Sequence, residues 1–161
     1  MVAKELLGRF LVRKMGRKKI RAMITETEAY CGPRDLASHA SRGRTKRTEV
    51  MFGPPGHAYV YLIYGMYYCL NIVTEAENYP AAVLIRAVDA CGVNGPGKLC
   101  RFLKIDKSLN GEDLTRSRRL WVEEGAKIKP NQIGRSKRIG VNYAESYKNK
   151  LWRFHIINER S

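Results

Sequence analysis

Two glutamates, Glu26 and Glu28, follow a run in which Ile20, Ala22 and Ile24 share one parity and Arg21, Met23 and Thr25 the other. Such alternation is the period of a half-buried strand, and its apolar parity runs on into both acids. At least one carboxylate is therefore expected to point inward, or into a cleft where the strand ends. A frayed strand end with two solvated acids is the plainer alternative. An inward carboxylate can take a proton from water, and its charge can steady a cation forming beside it. Arg86 interrupts the apolar run Ala81–Val88, and a guanidinium there needs a partner or a polar cleft. A third group is Ala58–Val73, where two β-prone runs rich in tyrosine flank Tyr64, Gly65 and Met66. This pattern predicts a hairpin with an aromatic and a thioether at its tip, the kind of apolar wedge that enters between base steps of DNA. For Tyr59 and Tyr68 an ordinary core stripe explains the pattern equally well.

Other chemistries find little support. His39, His57 and His155 are scattered, and the four cysteines (Cys31, Cys69, Cys91, Cys100) contain no CxxC pair. They read as small core residues in a reducing compartment, so no metal, disulfide or cofactor is expected. Zinc deaminases, which also act on flipped bases, are disfavoured on the same ground. Metal-dependent nucleases would need clustered acids, and here these are sparse. Thirty Lys and Arg against fifteen Asp and Glu give a formal charge of +15 on 161 residues. A basic protein of this kind implies a polyanionic partner, with nucleic acid the leading candidate. No long apolar span, amphipathic anchor or leader pattern at Met1–Phe10 points to a membrane.

The elements that must position these groups form one expected domain over residues 1–161. A short helix ends at Glu5–Leu7, Phe10–Lys14 and Ile20–Tyr30 are strands, and Met15–Lys19 is a basic turn. Cys31–Gly56 is a long connection carrying Arg34, Arg42, Arg44, Lys46 and Arg47, suited to phosphates and anchored through His39, Met51 and Phe52. Gly92–Gly97 makes a turn before helical spacing over Lys98–Ile105. Leu120–Val122, Ile139–Val141 and Leu151–Ile157 are short apolar segments closing the fold, with basic residues between them at Arg116, Arg118, Arg119, Arg135, Lys137 and Arg138. The fold class expected is mixed α/β (α+β): a curved, mostly antiparallel sheet with the hairpin wedge and short helices at its rim.

Several of these segments together resemble the alkyladenine (3-methyladenine) DNA glycosylase family. The matching blocks are Thr25–Tyr30 with Gly32, Pro33 and His39, then Met51–Tyr67 through Asn71, Leu84–Ala87, Gly95–Cys100 and Arg138–Val141. They occur in the family's order and span nearly the whole chain. The resemblance implies that Glu28 is the general base that activates water, with Arg86 and the backbone carbonyl near Ile139 holding that water. It implies that Tyr30 and His39 sandwich a flipped base, that Tyr61 closes the pocket edge, and that Asn71 is a steric gate against guanine. Tyr64 would fill the hole left in the duplex with Met66 beside it, and Arg44, Arg47, Met51, Tyr59 and Lys98 would match the DNA-facing surface. Glu26 receives no catalytic part. The chain departs from the family in the shorter Arg86–Gly95 segment, in Lys46 where proline is usual and in Thr48 where asparagine is common.

The implied activity is release of alkylated or deaminated purines (3-methyladenine, 7-methylguanine, hypoxanthine and ethenoadenine) from double-stranded DNA, leaving an abasic site. No lysine occupies a motif position suited to a Schiff base, so a monofunctional enzyme is expected. A monomer is expected, and with no address signal in the sequence the expected place is intracellular, at DNA in nucleus or nucleoid. The main rival is a noncatalytic binder of DNA or structured RNA, for which charge and aromatics would suffice. Such a binder would not need Glu28, Arg86, Tyr64 and Asn71 in combination.

Overall fold

Strand β2 organises the molecule because it changes partners along its length. The computed structural model describes residues 1–157. In it β1 (Phe10–Met15) pairs antiparallel with the first part of β2 (Lys18–Cys31), Phe10 opposite Met23 and Met15 opposite Lys18. The turn between them is only Gly16–Arg17, tighter than the five-residue basic turn expected, and Lys18 and Lys19 already belong to the ladder. From Ile24 onward β2 pairs instead with β5 (Ala81–Val88), and Glu26–Glu28 also pair with β8 (Arg153–Ile156).

That change of partner ends the simple alternation. The β2/β5 register shifts between Ile24 and Thr27, and from Thr27 to Ala29 three consecutive residues are buried. A strand covered on both faces no longer needs a polar parity. Glu28 consequently lies inside the strand rather than at its end, with three more residues of ladder beyond it.

Around this axis the sheet runs β3 (Ala58–Ile63), β4 (Tyr67–Val73), β5, β2, β1 and β6 (Leu120–Glu123), every pairing antiparallel. A separate branch joins β7 (Ile133–Ser136) to β8 and so to β2. Among the described residues there are two short α-helices, α1 (Val2–Glu5) and α2 (Pro96–Phe102); α2 packs on β4 and β5 and sends Leu99 into the core rather than lying at the rim. The mixed α/β architecture read from the sequence is what the structure has. The main core gathers Leu11, Ile24, Leu70, Ile85, Leu99, Leu103, Leu120 and Phe154 from both branches and from α2.

Two segments differ from the sequence reading. Ile139–Val141, expected as an apolar segment closing the fold, is apolar-buried only at Val141, which lies beside Ala37 and Ala144, while Ile139 is exposed. The strand of that region is β7, whose residues Ile133-Gly134-Arg135-Ser136 carry one large apolar side chain and no alternating pattern. Cys31–Gly56 is long, as expected, but holds two 3-10 turns, His39–Arg42 and Glu49–Phe52.

Candidate active site

Glu28 is wholly buried, and its charge is met on three sides. The Ile139 N–H donates to Oε1 at 2.8 Å, the Tyr30 hydroxyl donates to Oε2 at 2.9 Å, and Arg86 Nη1 lies 3.5 Å from Oε1. Burial pushes this carboxyl above the ordinary carboxylate range, against the pull of Arg86, the Ile139 amide and Tyr30. A carboxylate so placed is a better base than a solvated one, while its donors keep it ionisable. Arg86 has its expected partners: beside Glu28, its Nε donates to Glu26 Oε1 at 3.0 Å. Glu26 is less buried than Glu28, so the two acids of the apolar parity differ in environment.

In front of Glu28 lies a cavity of about 130 Å³, and Tyr30, Arg86 and Ile139, the three residues that touch the carboxylate, are part of its wall. Tyr30, His39, Tyr61 and Asn71 all line it, so the sequence-predicted binding residues are brought together. His39 packs edge-on against Tyr61 with ring centroids 4.6 Å apart. Its Nδ1 lies 3.2 Å from the Tyr59 hydroxyl. Burial, with Arg47 and Arg42 nearby, holds the imidazole below its usual range and therefore neutral at neutral pH. Asn71 is fixed by donation of Nδ2 to the Tyr59 carbonyl at 3.3 Å.

Met51 and Tyr59 need correction. Expected on a DNA-facing surface, both are buried and line the cavity, packed together with Ala40, Val73 and Ala82. The core-stripe alternative holds for Tyr59 in part: it is buried, but in the small cluster on the cavity face of β3, while Ala58 and Val60 of the opposite parity join the main core. The other surface candidates are exposed. Arg47 lies over the Tyr61 ring and donates to the Leu62 carbonyl at 3.3 Å. Arg44 is held by Glu49 and Asn78, and Lys98 on α2 donates to Asn94. Thr48 ties the basic loop through its hydroxyl, donating to the Gly43 carbonyl and accepting from the Thr45 N–H.

The hairpin tip forms as the sequence suggests. Tyr64 and Gly65 both adopt positive φ, at 53° and 64°, and Met66 N–H donates to the Ile63 carbonyl at 3.1 Å. This is the backbone of a primed hairpin turn, which suits glycine but strains a tyrosine. Tyr64 is 84% exposed and Met66 68%. Tyr64 also borders the cavity, so the tip stands at its mouth. On the neighbouring helix, a Cβ added to Gly97 would sit 3.1 Å from the Tyr67 ring, so glycine lets α2 approach β4 closely.

Sequence reasoning missed two features. Arg138, noted only as one of the basic residues between the closing segments, has a wholly buried side chain in a two-pronged pair with Asp35, at 2.6 and 2.9 Å. It also donates to the Ala29 carbonyl, and Asp35 accepts from the amides of Cys31 and Ala37. This pair pins the loop after β2 to the segment that delivers the Ile139 amide. Sequence gave little signal beyond the place of Arg138 beside Ile139 in a family block. Tyr143 was also overlooked; it lines the cavity, and its hydroxyl donates to the Ala37 carbonyl at 3.1 Å.

A family model described as methylpurine-DNA glycosylase matches residues 1–93 and 91–160. The chain belongs to the methylpurine-DNA glycosylase family. It is a DNA glycosylase of DNA repair, an enzyme of the monofunctional class, with alkylation damage as its field of action. The match divides at residues 91–93, within the Arg86–Gly95 stretch where the sequence is short for the family. This glycosylase is 48% identical to a protein of Methanocella arvoryzae, with 98% of this chain and 86% of that one covered. It is 49% identical to one of Legionella pneumophila, covering 97% and 87%, and 42% identical to one of Natranaerobius thermophilus, covering 96% and 88%. All three are assigned as 3-methyladenine DNA glycosylases. Among the described residues of the glycosylase no cluster of His, Cys, Asp and Glu could hold a metal, and no helix is long and apolar enough to cross a membrane.

Proposed function

We propose that this glycosylase flips 3-methyladenine, 7-methylguanine, hypoxanthine and ethenoadenine out of duplex DNA and hydrolyses the N-glycosidic bond with water activated by Glu28. The observation that carries the reading is a wholly buried carboxylate, held by Arg86, Tyr30 and the Ile139 amide, directly behind an aromatic cavity. Bond cleavage develops positive charge on the sugar while water approaches from the opposite face. Glu28 takes the proton of that water, and its negative charge stabilises the cation. Arg86 and the backbone carbonyl near Ile139 orient the nucleophile. A base already carrying positive charge, such as 3-methyladenine, leaves without being protonated.

Each remaining residue has a part. Tyr30 and His39 stack on the flipped base, which an electron-deficient purine favours, and neutrality of His39 avoids repelling it. Tyr61 closes the pocket edge. Asn71, tied to the Tyr59 carbonyl, cannot swing aside and crowds the exocyclic amine of guanine. Tyr64 takes the vacated place in the stack with Met66 beside it, and Arg44, Arg47 and Lys98 meet phosphates. Damaged bases cost less to unstack, which adds selectivity. The protein acts as a monomer.

Single-turnover release of base from duplexes carrying each lesion, with wild type and Glu28→Gln, tests this. Release by wild type, loss in the variant and unchanged lesion binding support the mechanism. Tight binding without release of any lesion would favour a noncatalytic binder. The cavity wall contains no lysine, so borohydride should trap no enzyme–DNA adduct.

A further inference from the structure

Glu26 has no part in the reaction described above, yet its carboxylate ties together the groups around Glu28. Oε1 of Glu26 accepts from Arg86 Nε at 3.0 Å and from Arg153 Nη1 at 3.1 Å. Arg153 in turn donates Nε to the Lys137 carbonyl at 2.9 Å. Two residues on, the Ile139 N–H meets Glu28 Oε1. Arg86 itself offers Glu28 only Nη1, at 3.5 Å, longer than a strong charge-assisted hydrogen bond. The guanidinium from β5 and the amide from residues 137–139 thus both reach Glu28 from supports anchored on one oxygen of Glu26.

We propose that Glu26 is a positioning residue: it holds Arg86 back from Glu28 and fixes the segment that carries the Ile139 amide, keeping Glu28 free to act as a base. The inference rests on the reading of Glu28 as the general base. Its physical reason is the fork geometry of arginine. A guanidinium free to turn would bind both oxygens of Glu28, favour the charged form and make proton uptake from water poor. Sharing Arg86 with a second carboxylate prevents that capture. Among the described residues the ion pairs of Arg86 are with these two glutamates alone.

The other groups facing the pair come from several elements. Glu28 meets Tyr30 on its own strand, Tyr61 on β3, Cys69 on β4 and Arg138 beside Ile139. Glu26 borders an outer hollow with Asp89, Arg153 and His155. Arg86 alone of these forms ion pairs with both carboxylates.

The test follows the Glu28 carboxylate by 13C NMR as pH is varied, its signal assigned by loss in Glu28→Gln, in wild type, Glu26→Gln and Glu26→Asp. Aspartate keeps the charge but shortens the reach. Both Glu26 variants should lower the Glu28 titration by about one unit. Both should slow single-turnover base release several-fold at its pH plateau and leave affinity for lesion duplex unchanged. A lowered titration in Glu26→Gln with a wild-type one in Glu26→Asp would mean that Glu26 acts through its field alone, overturning the proposal. So would an unmoved titration in both variants accompanied by loss of thermal stability, the mark of a structural role. The titration is read without turnover. Full base release by Glu28→Gln would therefore reject Glu28 as base, whereas an unmoved titration would reject Glu26 as its positioner.

Discussion

The pH behaviour of Glu28 follows from which of its two forms burial favours. Burial raises the carboxyl, so the folded protein takes up its proton more readily than the unfolded chain. Its contribution to stability is therefore present at acid pH and is lost as pH rises through the folded value. Glu28→Gln, which cannot ionise, should be at least as thermostable as wild type at neutral pH. That advantage should vanish as pH falls below the ordinary carboxylate range, as melting curves across pH would record. Base release should run the opposite way, since a base must be ionised. The acid limb of the single-turnover rate should lie above the ordinary carboxylate range, and Glu28→Gln should lose about 10²-fold or more on the plateau. The buried pair Asp35–Arg138 carries a second expectation. Removing one partner leaves the other charge buried alone, so Arg138→Met should destabilise by about 3–5 kcal/mol in denaturant unfolding. Base release should fall with it, because the same arginine anchors the approach to Ile139.

The β3–β4 hairpin carries its most exposed apolar side chains, Tyr64 and Met66, at the same tip as its one strained residue, Tyr64. A tyrosine at positive φ costs about 1–2 kcal/mol relative to a relaxed conformation, so Tyr64→Gly should not lower the melting temperature. It should still slow release of a lesion base from duplex, because the filler of the vacated stack is gone. Release from a single strand carrying the same lesion should change far less, since there is no stack to fill. Equal losses on both substrates would remove the wedge role. Most of this hairpin was legible in sequence, because two β-prone runs around a Gly-containing tip encode both strands and turn locally. The β7–β8 branch was not, because β7 is stabilised by its neighbours across the sheet rather than by an apolar pattern of its own.

For the molecule as a whole, a charge of +15 predicts strong binding to undamaged duplex that weakens steeply with salt. A plot of log affinity against log salt concentration should be linear, with a slope of about −0.9 per phosphate engaged. Replacing exposed Arg47 by glutamine should make that slope shallower by about one contact without altering the order of lesion preference. A salt-independent affinity would deny the basic surface its role. What the chain determined by itself was what can be encoded locally or in composition: the basic charge, the strands up to Ile24, the hairpin and its tip, and the strings that mark a glycosylase family. Only the tertiary structure decided how β2 trades β1 for β5 and β8, and with it the burial of Glu28. It also decided that Met51 and Tyr59 turn into the cavity, that Arg138 is buried against Asp35, and that Ile139 offers its amide to a glutamate 111 positions away in sequence. The physical reason is that desolvation and charge pairing depend on neighbours from distant segments, which neither composition nor periodicity records.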